Sequence, residues 1–303
     1  MTPSAGGVDL QGFLARERDR VEIALRDALE RFLPMVPAGL TGAVRHGATS
    51  VGKRLRPILC VAAYRAVGGI DEAVYSLAVS LELIHAYSLM HDDLPCMDDA
   101  ELRRGNPTTH RVEGERATMV AGALMIPLAA RQAWEGGISM GLPEERCRLL
   151  VEELARAAGG GGMVGGQFLD LLGEETVLTA PELDDLHRRK TGALLRASLR
   201  MGGIAGAASP EELEALDRYG EAIGLAFQIA DDLLDATSSA QALGKNPSDA
   251  ELGKSTYVTL FGVDEASRRA RELVRQGVSA LRGAGLEAPE LEALAWYVVE
   301  RER

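Results

Sequence analysis

Aromatic residues make up only 4% of this 303-residue chain, and the alternation of Val, Ile and Thr with polar residues that marks half-buried strands is scarce. Both shortages weigh against a β-rich fold. Cysteine is rarer still. Cys60, Cys96 and Cys147 are odd in number and unspaced for a metal, so the sequence reads as a reduced, cytoplasmic protein with free thiols. The longest uncharged apolar run, Met119 to Ala130, is too short to span a bilayer. No basic residue precedes an apolar run in M-T-P-S-A-G-G-V-D-L, and no signal peptide is expected. A formal charge of −12 argues against nucleic acid as a partner, because phosphate backbones are met by basic surfaces. Any phosphate must be bound locally.

Lysine is the most informative shortage. Among 33 Lys and Arg only four are lysine, Lys53, Lys190, Lys245 and Lys254. Each falls in a polar segment next to an apolar one. A lysine ammonium is a compact point charge that arginine does not replace at a tight phosphate site, so these four positions mark candidate phosphate contacts.

What is abundant is Ala, Leu, Arg and Glu, all good helix formers, in a chain that is 46% hydrophobic and able to bury a large core. The expectation is an all-α protein forming one domain over residues 1–303. Helices are expected at about 9–32, 71–92, 112–135 (kinked at Pro127), 143–158, 181–207, 210–236, 263–282 and 289–301. Thr179 with Glu182, and Ser209 with Glu212, have capping-box spacing. The run Gly159 to Gly162 lacks the Gly-Lys-Ser/Thr ending of a phosphate loop and reads as a break.

Two acidic clusters organise the rest. The apolar run Leu81, Leu83, Ile84, Leu89, Met90 ends in Asp92 and Asp93, with Asp98 and Asp99 just beyond. Like charges so close disfavour a helix, so a cation is expected among them. Pro95 should force a bulge that turns Asp92 and Asp98 toward a common point. The second cluster, F-Q-I-A-D-D-L-L-D, places Asp231 and Asp235 on one helix face beside Asp232. Carboxylates without His or Cys suit Mg²⁺, which bridges one or two of them to substrate phosphates. Lys53, Arg54 and Arg56, at a loop-to-helix junction, form either an anion site or a solvated basic turn. Asp170 is either a structural acid or a further metal-site carboxylate.

In chain order, G-K-R-L-R-P, D-D-x-x-x-x-D with R-R-G, G-Q-x-x-D, K-T-G, F-Q-x-x-D-D-x-x-D and G-K-x-x-x-D-x-x-x-x-K make the sequence similar to the trans-prenyltransferases of the polyprenyl (isoprenyl diphosphate) synthase family. The pattern most resembles bacterial short-chain farnesyl or geranylgeranyl diphosphate synthases. The resemblance implies a helical bundle around a deep central cavity, a homodimer, and a Mg²⁺-dependent condensation of isopentenyl diphosphate with an allylic diphosphate. It further implies that Asp92, Asp98 and Asp231 hold Mg²⁺, with Asp93, Asp232 and Asp235 completing or orienting the shells. Arg103, Lys190, Thr191, Gln228 and Lys245 would hold the allylic diphosphate; Lys53, Arg56, His85 and Arg104 would hold isopentenyl diphosphate. Lys254 is a further substrate contact. Tyr87, with the small Ser88, resembles the chain-length floor of the farnesyl type. Where relatives usually read G-D-A-L, this chain has Ala123-Leu124-Met125-Ile126 and then Pro127, a change expected to reshape the cavity wall. Val258 replaces a common Pro.

Other readings are a geranylgeranyl diphosphate synthase, a terpene cyclase, a non-catalytic synthase subunit and a helical scaffold. A cyclase would leave Lys53, Arg56, His85 and Arg104 without purpose. A non-catalytic partner should have lost acids from one cluster, and a scaffold leaves the four lysines unexplained.

Overall fold

A computed structural model describes residues 8–173, 176–237 and 255–300. In chain order the helices are α1 (Leu10–Phe32), α2 (Ala38–Ala48), α3 (Leu55–Ala66), α4 (Val74–Asp92), α5 (Thr109–Glu113), α6 (Glu115–Ser139), α7 (Glu144–Ala158) and α8 (Met163–Gly173). They continue as α9 (Ala180–His187), α10 (Ala193–Ala205), α11 (Pro210–Thr237), α12 (Tyr257–Phe261), α13 (Val263–Gly283) and α14 (Pro289–Glu300). A two-stranded hairpin, β1 (Leu102–Arg103) with β2 (Asn106–Pro107), is the sheet among the described residues. The all-α expectation holds.

Helix α4 is central because it is apolar on every side. Leu77, Val79, Leu81 and Leu83 advance around its whole circumference and are at most 1% exposed. It packs chiefly on α6, while α11 packs chiefly on α13. Between these halves lie α3 and α10. Cys60, Val61, Leu194 and Met201 join the core around α4, whereas Ile58, Leu59, Leu195 and Leu199 join the core around α11. Two buried helices thus tie together the two that carry the acids.

The helix boundaries depart from expectation in three places. The single helix expected over 112–135 is two, split at Gly114, whose φ of 85° a side-chain-bearing residue adopts only under strain. The helix continues through Pro127, which lies on the exposed face with Ala123 and Ile126, while Met125 is fully buried. The departure at Pro127 therefore faces outward instead of directly reshaping the cavity wall. Third, the helix expected over 181–207 is interrupted by one wide π-turn, Arg188–Gly192. Both capping boxes are present: Glu182 accepts from Thr179 N–H at 2.8 Å, and Glu212 accepts from Ser209 N–H at 2.7 Å.

Candidate active site

Asp92 is the last residue of α4, where the helix's unpaired carbonyls disfavour a negative charge. The chain then doubles back. Asp98 N–H donates to the Asp92 carbonyl at 2.9 Å, and Asp99, at φ 46°, donates to Leu94 O at 3.1 Å. The bulge anticipated from Pro95 is this return, and it brings the Asp98 carboxylate beside Asp92. Burial pushes the Asp92 carboxyl up to about 6, against the opposing charge of Lys190 and with a further push from Asp98. A carboxylate so placed is short of positive charge. That is the fit expected for a hard cation with oxygen ligands.

Asp93 is used differently. It is 4% exposed and is gripped by Arg103, whose Nε and Nη2 donate to it at 2.8 and 2.5 Å. The grip follows from the hairpin. Arg104 and Gly105 take φ of 53° and 79°, the left-handed pair that a two-residue turn requires, and pairing of Arg103 with Asn106 sends successive side chains to opposite faces. Arg103 therefore returns to the acids, and Arg104 reaches across to the Val51 carbonyl.

That second arginine meets the basic loop before α3. A Cβ at Gly52 would sit 2.8 Å from Arg104 Nη1, so only glycine lets the two segments approach. Arg56 contributes a buried Nε with no protein partner, and burial lowers its guanidinium to about 10, Glu82 opposing and Arg104 adding to the shift. His85 lies two turns above Asp92 on α4. Burial, and then Arg56, Arg104, Arg103 and Arg54, hold its imidazole well below the usual range, so it is neutral at pH 7. Lys53, Arg56, His85 and Arg104 thus form one corner, as the sequence expectation required.

The opposite wall is built by α8, the π-turn and α11. The wide turn presents Lys190 and Thr191 in succession. Lys190 Nζ pairs with Asp170 at 2.5 Å, and Thr191 Oγ1 donates to Gln228 Oε1 at 2.8 Å. The open alternative for Asp170 is thereby narrowed, because its carboxylate holds a lysine. Close approach depends on Gly166, where a Cβ would lie 2.1 Å from the Lys190 nitrogen. On α11, Asp231 and Asp235 are half-buried. Asp232 is 6% exposed and accepts the Tyr257 N–H at 2.8 Å, at the start of α12. Among the described residues no three His, Cys, Asp or Glu side chains form a ready-made metal cage. Such an arrangement suits Mg²⁺, which takes few protein ligands and keeps water and phosphate oxygens. Lys245 and Lys254 lie outside the described residues.

Tyr87, 4% exposed, packs edge-on against His91 at 5.7 Å, and burial, then Asp92, pushes its phenol up to about 12. His91 in turn bonds Met119 O of α6 at 3.0 Å. Ser88 spends its hydroxyl on the His85 carbonyl at 2.9 Å. Sequence reasoning overlooked Glu82 and the buried role of Arg54. The signal was available, since Glu82 is the lone charge between Ser80 and Ile84 in an apolar helix.

The polyprenyl synthetase family pattern matches residues 37–283. Over 287 residues the chain is 42% identical to the farnesyl diphosphate synthase of Escherichia coli (strain K12), covering 91% of this chain and 95% of that protein. It is 39% identical to geranylgeranyl pyrophosphate synthase 12, chloroplastic, of Arabidopsis thaliana, covering 97% of this chain and 82% of the relative. The crystal structure of a geranyltransferase from Legionella pneumophila superposes with a TM-score of 0.83 at 31% identity, covering 97% of each chain. On this agreement of sequence, fold and motif order, the chain belongs to the polyprenyl synthetase family.

Proposed function

We propose that this prenyltransferase condenses isopentenyl diphosphate with dimethylallyl or geranyl diphosphate and releases farnesyl diphosphate. The observation that carries the reading is the basic corner of Lys53, Arg56, His85 and Arg104. A desolvated arginine with an unused donor, beside a neutral imidazole, calls for an anion additional to the one at the acid clusters. A cyclase has no use for it.

In this reading Asp92, Asp98 and Asp231 hold Mg²⁺, with Asp235 beside Asp231 and with Asp93 and Asp232 orienting the two acidic segments. Bound Mg²⁺ supplies charge neutralisation for the allylic diphosphate. Arg103, Lys190, Thr191, Gln228, Lys245 and Lys254 grip that diphosphate, so that its bond to the allylic carbon breaks heterolytically and the electron pair leaves with it. The basic corner holds isopentenyl diphosphate with its alkene toward the cation; the alkene attacks, and a proton departs to the released diphosphate. Apolar walls keep out water that would capture the cation. Tyr87, wedged through His91 against α6, is the floor that stops growth.

We read the whole chain as one catalytic unit, cytoplasmic and homodimeric. Met119, Val120, Ile126, Trp134 and Ile138 give α6 an apolar stripe between 37% and 52% exposed, the face a second copy would cover. The test is a product assay with Mg²⁺, isopentenyl diphosphate and, separately, C5, C10 and C15 allylic diphosphates, read by mass spectrometry. A C15 end point supports the farnesyl reading and C20 replaces it with the geranylgeranyl one; no condensation refutes both. Tyr87→Ala should move the end point from C15 to C20.

A further inference from the structure

Glu82 is 3% exposed within α4, where nearly every neighbour is apolar. Its Oε1 accepts Arg54 Nη1 at 2.6 Å, and neither side chain is more than 4% exposed. Arg54 also donates Nε to Glu22 at 2.7 Å and Nη2 to the Ser50 carbonyl at 2.8 Å. A buried charge pair persists only when its hydrogen bonds are this well satisfied. The backbone of Arg54 is itself strained at φ 51°, a conformation that costs a residue with a side chain about 1–2 kcal/mol. Local strain of this kind survives where surrounding contacts enforce it. Here the enforcing contacts are the three that root its guanidinium.

The left-handed residue separates Lys53, which is exposed, from Arg56, whose Nε lacks a protein partner. Each belongs to the corner proposed above for isopentenyl diphosphate, and neither is hydrogen-bonded by Glu82. Yet Glu82 is the carboxylate whose charge opposes the effect of burial on both Arg56 and Arg104. We propose that Glu82 is a positioning residue for that site: by rooting Arg54 in the core it fixes Lys53 and Arg56 on either side of the strained turn, and it holds the crowded arginines together until diphosphate arrives. The inference rests on the assignment of the corner to isopentenyl diphosphate.

Steady-state kinetics with each substrate varied in turn tests it. Glu82→Gln should raise KM for isopentenyl diphosphate about tenfold, the scale of one charge-assisted hydrogen bond, with kcat and KM for the allylic substrate within about twofold. A merely structural role would lower the active fraction, hence kcat, and leave both KM values alone; that result, or an equal rise in both, overturns the proposal. Should Glu82→Gln not fold, Arg54→Met combined with Glu82→Met exchanges the ion pair for apolar side chains of similar length and must show the same selective rise. Arg56→Leu is the reference. If it raises KM for the allylic substrate instead, the assignment of the corner has failed and the proposal falls with it; if it acts on isopentenyl diphosphate while the Glu82 variants do not, the proposal alone fails.

Discussion

The ends of α4 and α11 spell the same pair of aspartates in different settings. At α4 the helix stops, and the chain returns through Asp98 to meet its own end. At α11 the pair lies inside a helix that runs on to Thr237. In both, the first aspartate is half-buried and the second is turned into the protein: Asp93 onto Arg103, Asp232 onto the Tyr257 N–H. One carboxylate of each pair thus holds the neighbouring element in place, a hairpin in the first case and α12 in the second. The difference is where the partner comes from. Asp93 is held by a residue ten positions on, Asp232 by one twenty-five on, so the second wall depends on a longer return of the chain.

The comparison breaks if the two members of a pair prove interchangeable. Asp92→Ala and Asp231→Ala should each lower kcat on the order of 10²- to 10³-fold, as removal of an electrostatic stabiliser does, while circular dichroism shows an intact fold. Near-normal activity with Mg²⁺ in either variant refutes the metal assignment. Asp232→Ala should act mainly on the fold, losing about 1–3 kcal/mol in denaturant unfolding because a buried N–H is left without its acceptor; its activity loss should be about tenfold. A loss equal to that of Asp231→Ala would place both carboxylates on the metal.

The smallest effect sharpens the α4 side. The folded pKa of Asp92, about 6, lies above its model value of 3.8. Protonated Asp92 therefore favours the native state fully at low pH, and that contribution is lost as pH rises through 6. Without ligand, Asp92→Asn should raise the melting temperature by a few degrees at pH 7.5 and by almost nothing at pH 4. A difference that grows on acidification would contradict the burial of Asp92.

Much of this was legible in the sequence because the motifs combine charge with helical spacing. Asp231 and Asp235 share a face for the same reason in a peptide or a protein, and Pro95 announces the bulge after α4. What remained hidden was tertiary. Nothing local says that Arg54 turns inward while Lys53 does not, since that depends on Glu82 from another helix. The split at Gly114 was missed because its neighbours are polar on both sides and periodicity carries across it. The outward face of Pro127 was equally invisible, because the apolar residues on that side of α6 look like core until the packing of α4 selects the other side. Nor did the pattern Lys190-Thr191-Gly192 reveal a wide turn in an otherwise helical stretch.

That turn is in effect one extra residue carried in a helix, and it leaves the segment intolerant of length change. Deleting a residue there would let the regular helix heal, with a rotation of about 100° between the two sides. If the front half stayed in place, Arg196 and Arg200 would enter the slots of Leu195 and Leu199, which are 2% and 1% exposed. If the rear half stayed, Lys190 and Thr191 would swing away from Asp170 and Gln228. Natural length variation should therefore be absent from residues 188–192, whereas substitution on the exposed side of Arg188 and Arg189 remains open.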